Sequence, residues 1–411
     1  MAATINDRPC SSASSLGENA KPEFVQKIDN QVARINGIFL LTKEDGVVTI
    51  SEDRTIRVLL KRDSGQYWPS IVEFLTSVPT ALYYDENTMC LLVGMVNGSV
   101  YEYQVSADMN SVQQKRHWGA HTMPVTGVLM SNSARMLFSC SKDKTIVWHC
   151  ADTGAKIGSY VIDSMCTTLE FDPDSKICFV GDYNGSIFIL RIVGNSAQLV
   201  SKLSAHSAGI TCLAWDSRRG QLFSGSADTL VIMWDIAGQK GNCYELNGHD
   251  SKLSSLVLAQ DAARLFSVDD SGHLVCWDLK AKRIMAPGWH DNDKCELCDV
   301  PFFWNVRVMW DRKIVGVRRH HCRTCGQSVC GNCCNHFTVF PAMGFEKKAR
   351  ICKTCHTKME QYPEQFDLTP LAVQSELNKS ITIMHLQEQL GRLVAVGADR
   401  SIMIWNVSKM L

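Results

Sequence analysis

The chain has 411 residues, of which 45% are apolar, so it is long enough to form more than one domain around a substantial core. Its 42 Lys and Arg residues balance its 42 Asp and Glu residues, which excludes a global field directed at a polyanionic partner. The N-terminal residues lack the basic and apolar regions of a signal peptide, and no later run approaches the roughly eighteen apolar residues of a membrane span. We therefore expect a soluble protein that is not secreted.

The chain begins with a polar segment, residues 1–21, which we interpret as a disordered tail. The next stretch, EFVQKID at residues 23–29, has the composition of a strand but no neighbouring strand to pair with. A partner for this strand must therefore come from elsewhere in the chain.

A short pattern then recurs, in which a turn containing Asp or Asn precedes an alternating apolar strand that ends in a bulky residue. Successive ends are 44, 45, 42, 44 and 43 residues apart, and the last gap is 128 residues. The bulky residues are Leu59, Tyr103, Trp148, Leu190, Trp234, Trp277 and Trp405. A period in the low forties, with Trp-Asp closing two of the units, resembles the WD-repeat family, whose repeats are four-stranded propeller blades.

The resemblance implies an all-β fold, a seven-bladed WD-repeat β-propeller. It also implies a hydrogen bond between a histidine of an Ala-His or Gly-His pair and the turn aspartate about twenty-two residues later, at His121, His206 and His249; for His206 the partner is Asp228. A propeller must join its ends, because an unpaired edge strand is a liability, so we predict that residues 23–29 pair with the last strand, residues 401–407. A β-sandwich built from the same strands is the alternative.

The last gap exceeds the period by about 85 residues, which indicates an insertion. The stretch LTPLAV, residues 368–373, is typical of the missing outer strand of blade six, so the insertion should lie just before it. We predict propeller blades and the closing strand over residues 22–284, a small inserted module over 285–362, and the end of blade six with blade seven over 363–411.

The inserted module is rich in cysteine. Nine of the eighteen cysteines lie between Cys295 and Cys355, and eight of them form C-x-x-C pairs. The pairs are Cys295 with Cys298, Cys322 with Cys325, Cys330 with Cys333, and Cys352 with Cys355. Eight thiolates fill two tetrahedral zinc sites in a reducing cytosol, whereas four disulfides would need an oxidising compartment. We predict two zinc ions and leave Cys334 as a bystander that could exchange with Cys333.

Basic residues crowd around the second pair, in the stretch RRHHCR. If it is a strand, Arg319, His321 and Arg323 share one face, while Arg318 and His320 share the other. Guanidinium groups match phosphate oxygens bidentately, so this strand suits a compact phosphate ligand, with Arg350 as a further contact. The histidines are free for this role because cysteine alone saturates both zinc sites; the alternative is that they only pack or cap the module.

RRHHCR, the eight paired cysteines and RIC at residues 350–352 together resemble the FYVE zinc finger, which binds phosphatidylinositol 3-phosphate on endosomal membranes. The resemblance implies cross-braced zinc sites, one held by Cys295, Cys298, Cys330 and Cys333 and the other by Cys322, Cys325, Cys352 and Cys355. It also implies that the headgroup is held by Arg318, Arg319, His320, His321, Arg323 and Arg350. A propeller with this finger before its last blade resembles the WD-repeat and FYVE-domain-containing proteins.

One departure concerns the acidic residue that the finger family carries before its first cysteine. Here WHDND places Asn292 at that position, between Asp291 and Asp293. A carboxylate there would accept hydrogen bonds from inositol hydroxyls and reject extra phosphates. The sequence therefore predicts phosphoinositide binding but not how strictly one phosphoinositide is selected over another.

The segment between the first two cysteine pairs is strongly apolar. We interpret Phe302, Phe303 and Trp304 as core, and Ile314 and Val315, flanked by basic residues, as a tip that enters the bilayer interface together with Trp310. By resemblance this is the insertion loop of the finger. Histidine contacts should make binding weaken between about pH 6 and 7.5.

The sequence contains no catalytic motif, so we predict a non-enzymatic adaptor. It would bind phosphatidylinositol 3-phosphate membranes through the finger and protein partners through the propeller, in the cytosol and at the cytosolic face of early endosomes. A RING-like ubiquitin ligase component is the alternative. Nucleic-acid binding ranks below both, because the basic residues lie on one short strand without regularly spaced aromatic residues.

Overall fold

The computed structural model describes residues 20–29, 31–237, 242–304, 306–313 and 315–411. Seven four-stranded antiparallel sheets form a seven-bladed β-propeller, which confirms the predicted fold. The tail expected over residues 1–21 lies outside the described residues except for its last two. No helix in the described residues is long and apolar enough to cross a membrane.

Strand β1 (Glu23–Ile28) precedes the blades, and each of the first five blades consists of four consecutive strands. Blade one consists of β2 (Ile35–Leu40), β3 (Gly46–Ser51), β4 (Thr55–Lys61) and β5 (Tyr67–Phe74). Blade two consists of β6 (Pro79–Asp85), β7 (Cys90–Met95), β8 (Ser99–Val105) and β9 (Val112–Gly119), and blade three of β10 (Val125–Ser131), β11 (Met136–Ser141), β12 (Thr145–Cys150) and β13 (Lys156–Val161). Blade four consists of β14 (Cys166–Asp172), β15 (Ile177–Asp182), β16 (Ser186–Val193) and β17 (Ser196–Ser204), and blade five of β18 (Ile210–Asp216), β19 (Gln221–Ser226), β20 (Val231–Asp235) and β21 (Cys243–Leu246).

Blade six is interrupted between its third and fourth strands. Its first three strands are β22 (Leu253–Ala259), β23 (Arg264–Asp269) and β24 (His273–Asp278). The inserted finger follows, with α1 (Val306–Arg312), β25 (Arg319–His321), β26 (Ser328–Cys330), β27 (His336–Phe340), a 3-10 turn (Pro341–Met343), β28 (Phe345–Ile351), α2 (Lys353–Gln361) and a second 3-10 turn (Pro363–Gln365). Strand β29 (Ala372–Glu376) then pairs with β24 and completes the blade. The sequence placed the insertion correctly, but the outer strand begins at Ala372 rather than four residues earlier.

Blade seven closes the ring. It contains β30 (Ile381–Gln387), β31 (Arg392–Gly397) and β32 (Ile402–Asn406), followed by a 3-10 turn (Ser408–Met410). Its fourth strand is β1, which pairs antiparallel with β32 from Glu23 opposite Asn406 to Ile28 opposite Ile402. The predicted closing strand is therefore confirmed. Closure removes the open edge that would otherwise invite aggregation.

The innermost strands repeat one hydrogen bond from blade two to blade seven. In each, a Thr or Ser hydroxyl donates at 3.1–3.3 Å to the carbonyl oxygen fourteen residues later. The donors are Thr80, Thr126, Thr167, Thr211, Ser254 and Thr382. Apolar clusters fill the spaces between successive blades, and a separate small cluster forms inside the finger. The propeller core therefore lies between the blades.

The expected histidine–aspartate pairs are present in three blades. The Nδ1 atom of each histidine lies 3.2, 3.0 and 3.1 Å from its aspartate, in the order His121–Asp143, His206–Asp228 and His249–Asp269. In blades five and six a serine hydroxyl joins the histidine Nε2 to the indole N–H of the anchor, at Trp234 and Trp277. These networks satisfy polar groups that the packed blades would otherwise bury without partners.

The anchor expected in blade three is one residue out of position. The other anchors face equivalent residues of the preceding strand, as in Leu222 opposite Trp234, whereas in blade three Leu137 lies opposite His149. Trp148 points to the other face and packs in the cluster between blades three and four. Successive residues of a strand alternate faces, so a slip of one position reverses the side chain.

Candidate metal centres and basic groove

The eight paired cysteines come together in two groups of four. Within each group the sulfur atoms lie within 4.8 Å of one another. The first group is Cys295, Cys298, Cys330 and Cys333, and the second is Cys322, Cys325, Cys352 and Cys355. Each group combines alternate pairs along the chain, as a cross-braced arrangement requires. Four thiolates suit a closed tetrahedral zinc site, and the two groups fit two zinc ions.

Backbone amides support the sulfur atoms. The Cys330 N–H donates to the Cys295 Sγ atom at 3.3 Å, and the Cys352 N–H donates to the Cys322 Sγ atom at 3.2 Å. Such bonds orient the sulfur ligands of a metal and favour their charged form. The core of the finger consists largely of these cysteines with Phe302, Val329 and Ile351, so metal binding would supply much of its folding energy.

Cys334 belongs to neither group. Its thiol is buried, and burial raises its pKa to about 12. Its backbone carbonyl accepts a hydrogen bond from the Arg350 Nη1 atom at 2.6 Å. The residue contributes to the finger by fixing an arginine.

A groove of about 490 Å³ runs between strands β25 and β28. It is lined by all six basic residues expected from the sequence, which are Arg318, Arg319, His320, His321, Arg323 and Arg350. Sequence reasoning missed three further polar lining residues, namely Lys347, Lys348 and Asn247. The two lysines precede Arg350 in a basic run that could have suggested them, whereas Asn247 lies in the propeller and no local pattern points to it.

Three of the groove arginines each rest on an aromatic ring. The guanidinium carbon lies 4.6 Å from the ring centre for Arg319 on Trp304 and for Arg323 on Trp289, and 4.9 Å for Arg350 on Phe337. Cation–π contacts of this kind hold a planar cation in place without occupying its hydrogen-bond donors. These contacts therefore fix the positions of three guanidinium groups along the groove.

The two histidines differ in their surroundings. His321 stacks on Trp289 with ring centres 4.6 Å apart, and its Nε2 atom lies 3.1 Å from the His290 carbonyl oxygen. His320 is half-buried, and burial lowers the pKa of its imidazole, as do the charges of Arg350 and Arg318. Neither histidine belongs to a sulfur group.

The acidic segment before the first cysteine lies against the same strand. Asp291 forms an ion pair with Arg319 and is almost fully exposed. Asn292 accepts a hydrogen bond from the Lys294 backbone, and Asp293 accepts one from the Trp304 indole at 3.1 Å. The carboxylate paired with a groove arginine is therefore that of Asp291, one position before the asparagine.

The segment between the first two cysteine pairs exposes several large apolar side chains. Trp310 is 84% exposed and Val315 is 76% exposed, while Ile314 lies outside the described residues. The assignment of three aromatic residues to the core is correct only for Phe302, which is buried; Phe303 and Trp304 are about half exposed. The segment also contains helix α1, and its exposed apolar surface includes Phe303 and Trp304 in addition to Trp310 and Val315.

Comparison with known proteins agrees with this arrangement. The FYVE zinc finger family matches residues 288–361, and the WD domain, G-beta repeat family matches residues 112–149 and 197–235. Over 407 residues the chain is 51% identical to "WD repeat and FYVE domain-containing protein 2" of Caenorhabditis elegans, covering 99% of this chain and 97% of the relative. The chain belongs to the WD repeat and FYVE domain-containing proteins.

Mammalian relatives in the family are also similar over their whole length. The chain is 38% identical to "WD repeat and FYVE domain-containing protein 1" of Mus musculus, covering 100% of this chain and 97% of the relative. It is 36% identical to "WD repeat and FYVE domain-containing protein 2" of Homo sapiens, covering 100% of both. Among solved structures, the WD40 β-propeller domain of Doa1 superposes with a TM-score of 0.62 at 12% identity, covering 94% of this chain and 97% of that one, which shows the fold alone.

Proposed function

We propose that this protein is a non-enzymatic adaptor that binds phosphatidylinositol 3-phosphate on endosomal membranes through the finger and protein partners through the propeller. The observation that carries the proposal is the convergence of six basic side chains on one groove, beside an exposed apolar tip. The family relationship supports the choice of lipid. The protein partners rest on the general use of propeller rims as binding surfaces.

Headgroup recognition follows from the donors in the groove. Arg323 presents a guanidinium fork that matches the oxygens of one phosphate. Arg350, whose Nη1 atom donates to the Cys334 carbonyl oxygen, offers its remaining N–H groups, and the aromatic supports keep both guanidinium groups in place. His320 and His321 add donors, and they add charge when protonated. Asp291 would accept hydrogen bonds from inositol hydroxyls and oppose further phosphates, a role that the sequence pattern assigned to the position of Asn292.

Membrane attachment adds two weaker forces. Trp310 and Val315 would enter the interfacial region of the bilayer, and the exposed Phe303 and Trp304 extend that surface. Basic residues near the lipid surface contribute about 1 kcal/mol each through attraction to anionic lipids. Because each force is weak alone, stable binding requires the headgroup and the tip together.

The metal sites would stabilise the fold of the finger and would not contact the lipid. Zinc bound to the two cysteine groups would hold strands β25 and β28 side by side. The chain's own residues then bind the phosphate, orient the headgroup and place the tip at the membrane.

The test is sedimentation of the full chain with vesicles that contain each phosphoinositide in turn. Arg323→Ala should weaken binding to phosphatidylinositol 3-phosphate by roughly ten- to a hundredfold, because a charge-assisted hydrogen bond contributes about 1.5–3 kcal/mol. Arg62→Ala, an exposed arginine of blade one, is the matched control and should bind as the wild type does. Equal binding by the Arg323→Ala variant would refute the proposal and favour a RING-like role in ubiquitin transfer.

The pH dependence offers a second test. Binding should strengthen as the pH falls, because a protonated imidazole attracts phosphate more strongly. The lowered pKa of His320 moves its share of this change toward the acidic end of the expected interval. Binding that is constant from about pH 5 to 7.5 would exclude both histidines as headgroup contacts.

A further inference from the structure

The finger is joined to the propeller by more than its two chain connections. The turn between β27 and β28 lies on the segment that follows β21, the outer strand of blade five. The Asn247 N–H donates to the Gly344 carbonyl oxygen at 2.8 Å, and the Glu346 N–H donates to the Asn247 carbonyl oxygen at 3.2 Å. Asn247 and Phe345 thus form a parallel β-bridge between the two domains.

Gly344 shows how close this approach is. Its φ angle is +85°, and a Cβ atom built on it would lie 1.8 Å from the Glu245 carbonyl oxygen. Only glycine tolerates both the left-handed backbone and this distance. The turn is therefore shaped to fit the propeller edge.

Other contacts fix the same junction. Lys347 of β28 forms an ion pair with Asp250 at 2.5 Å, and the Glu346 carboxylate accepts a hydrogen bond from the Leu371 N–H at 3.0 Å. On the entering chain, the Ile284 N–H donates to the Ala342 carbonyl oxygen at 2.7 Å. These contacts thus fix the position of strand β28, which carries Arg350, against the propeller.

The junction brings one propeller residue to the basic groove. Asn247 is half-buried and lines the groove together with the six basic residues of the finger. Its backbone N–H and carbonyl are used in the β-bridge, so docking does not depend on the carboxamide. A carboxamide offers two donors and an acceptor, which suit phosphate oxygens and inositol hydroxyls respectively.

We propose that Asn247 of the propeller is a headgroup-binding residue, so that the phosphoinositide site is built by both domains. This inference rests on the proposed function and adds to it a residue that lies outside the finger. A neutral amide at this edge adds hydrogen bonds without repelling phosphate. The nearby Asp250 does not oppose the ligand strongly, because Lys347 pairs with its charge.

The experiment compares three variants of the full, zinc-loaded chain: Asn247→Ala, Asn247→Asp and the control Asn87→Ala, an exposed asparagine of blade two. Binding is measured by sedimentation with phosphatidylcholine vesicles carrying phosphatidylinositol 3-phosphate, and by calorimetric titration with the soluble headgroup inositol 1,3-bisphosphate. Asn247→Ala should weaken both by roughly three- to tenfold, as expected for the loss of one or two neutral hydrogen bonds. Asn247→Asp should weaken both further through charge repulsion, and Asn87→Ala should have no effect.

Two readouts separate binding from structure. Zinc content and protection of the Glu346 amide from hydrogen exchange should be unchanged in Asn247→Ala, because the docking bonds use backbone atoms. If both Asn247 variants bind within twofold of the wild type while Arg323→Ala loses binding, the site lies in the finger alone and the inference is wrong, although the proposed function stands. If the wild type binds neither the vesicles nor inositol 1,3-bisphosphate, the proposed function itself is wrong.

Discussion

The docking of the finger can be tested at one glycine. Gly344→Ala introduces a Cβ atom that would lie 1.8 Å from the Glu245 carbonyl oxygen, at a backbone φ of +85°. Gly65→Ala is a matched control, because Gly65 has a φ of +80° and nothing within 4 Å of the added carbon. The two variants share the left-handed backbone cost of about 1–2 kcal/mol, and only the first forces the turn off the propeller.

The magnitude follows from the bonds that the displaced turn must give up. These are the Asn247–Gly344 and Glu346–Asn247 backbone hydrogen bonds, each contributing about 0.5–1.5 kcal/mol. Gly344→Ala should therefore weaken docking of the finger on the propeller. The loss is about 1–3 kcal/mol beyond the backbone cost alone. Since 1.4 kcal/mol corresponds to a factor of ten, exchange of the Asn247 and Glu346 amides should accelerate by roughly five- to 150-fold.

Hydrogen exchange read by mass spectrometry over the peptides that contain these amides is the appropriate assay. Gly65→Ala should leave the exchange of these amides unchanged, because Gly65 makes no contact with the docked turn. Exchange in Gly344→Ala that matches the Gly65→Ala variant would show that the turn does not dock on the propeller as described.

Four further outcomes are expected. Removal of zinc by an excess of chelator should abolish vesicle binding but leave the propeller's cooperative unfolding transition, and loss of that transition would contradict separate metal-dependent folding of the finger. Ser267→Ala leaves the indole N–H of Trp277 and the Nε2 atom of His249 without a partner, whereas Ser139→Ala does so only for the Nε2 atom of His121. Each unpaired group costs about 1–3 kcal/mol, so chemical denaturation should show Ser267→Ala to be about twice as destabilising as Ser139→Ala. Equal effects would contradict the serine-centred network. Asp291→Asn should increase binding to inositides with several phosphates relative to phosphatidylinositol 3-phosphate in sedimentation, and an unchanged preference would remove Asp291 from the site. Burial raises the pKa of the Glu346 carboxyl from 4.5 to about 7. The stability contributed by the protonated carboxyl is therefore fully present below about pH 4.5 and is lost as the pH rises through about 7. Glu346→Gln should flatten the dependence of amide exchange in the docked turn on pH over this interval, and an unaltered dependence would exclude Glu346 as the titrating group.

Much of the propeller could be predicted because its signals are periodic. The spacing of the bulky strand ends predicted the number of blades, and the unpaired first strand predicted closure through β1 and β32. The error in blade three has a local cause. Trp148 and His149 are adjacent, and side-chain bulk favours Trp148 as the anchor, whereas the register places His149 there.

The metal ligands could also be predicted from the sequence, because C-x-x-C spacing reflects the geometry of a metal site directly. The exposure of Phe303 and Trp304 could not be predicted, since the same residue types occur in a buried core and in an exposed membrane-facing tip. Asn247 was also out of reach. It meets the groove only because a strand of the finger docks on blade five, and such tertiary proximity leaves no trace in the neighbouring sequence.

We propose that sulfur alone fills both metal sites and leaves the RRHHCR strand free to hold one headgroup. A crystal structure of the zinc-loaded chain with a soluble short-chain phosphatidylinositol 3-phosphate tests it most directly. We predict eight sulfur ligands, with the 3-phosphate in hydrogen-bond contact with Arg323 and Arg350. A nitrogen atom of His320 or His321 in the zinc coordination sphere, or a headgroup bound away from this groove, would show that the strand does not hold the lipid in this way.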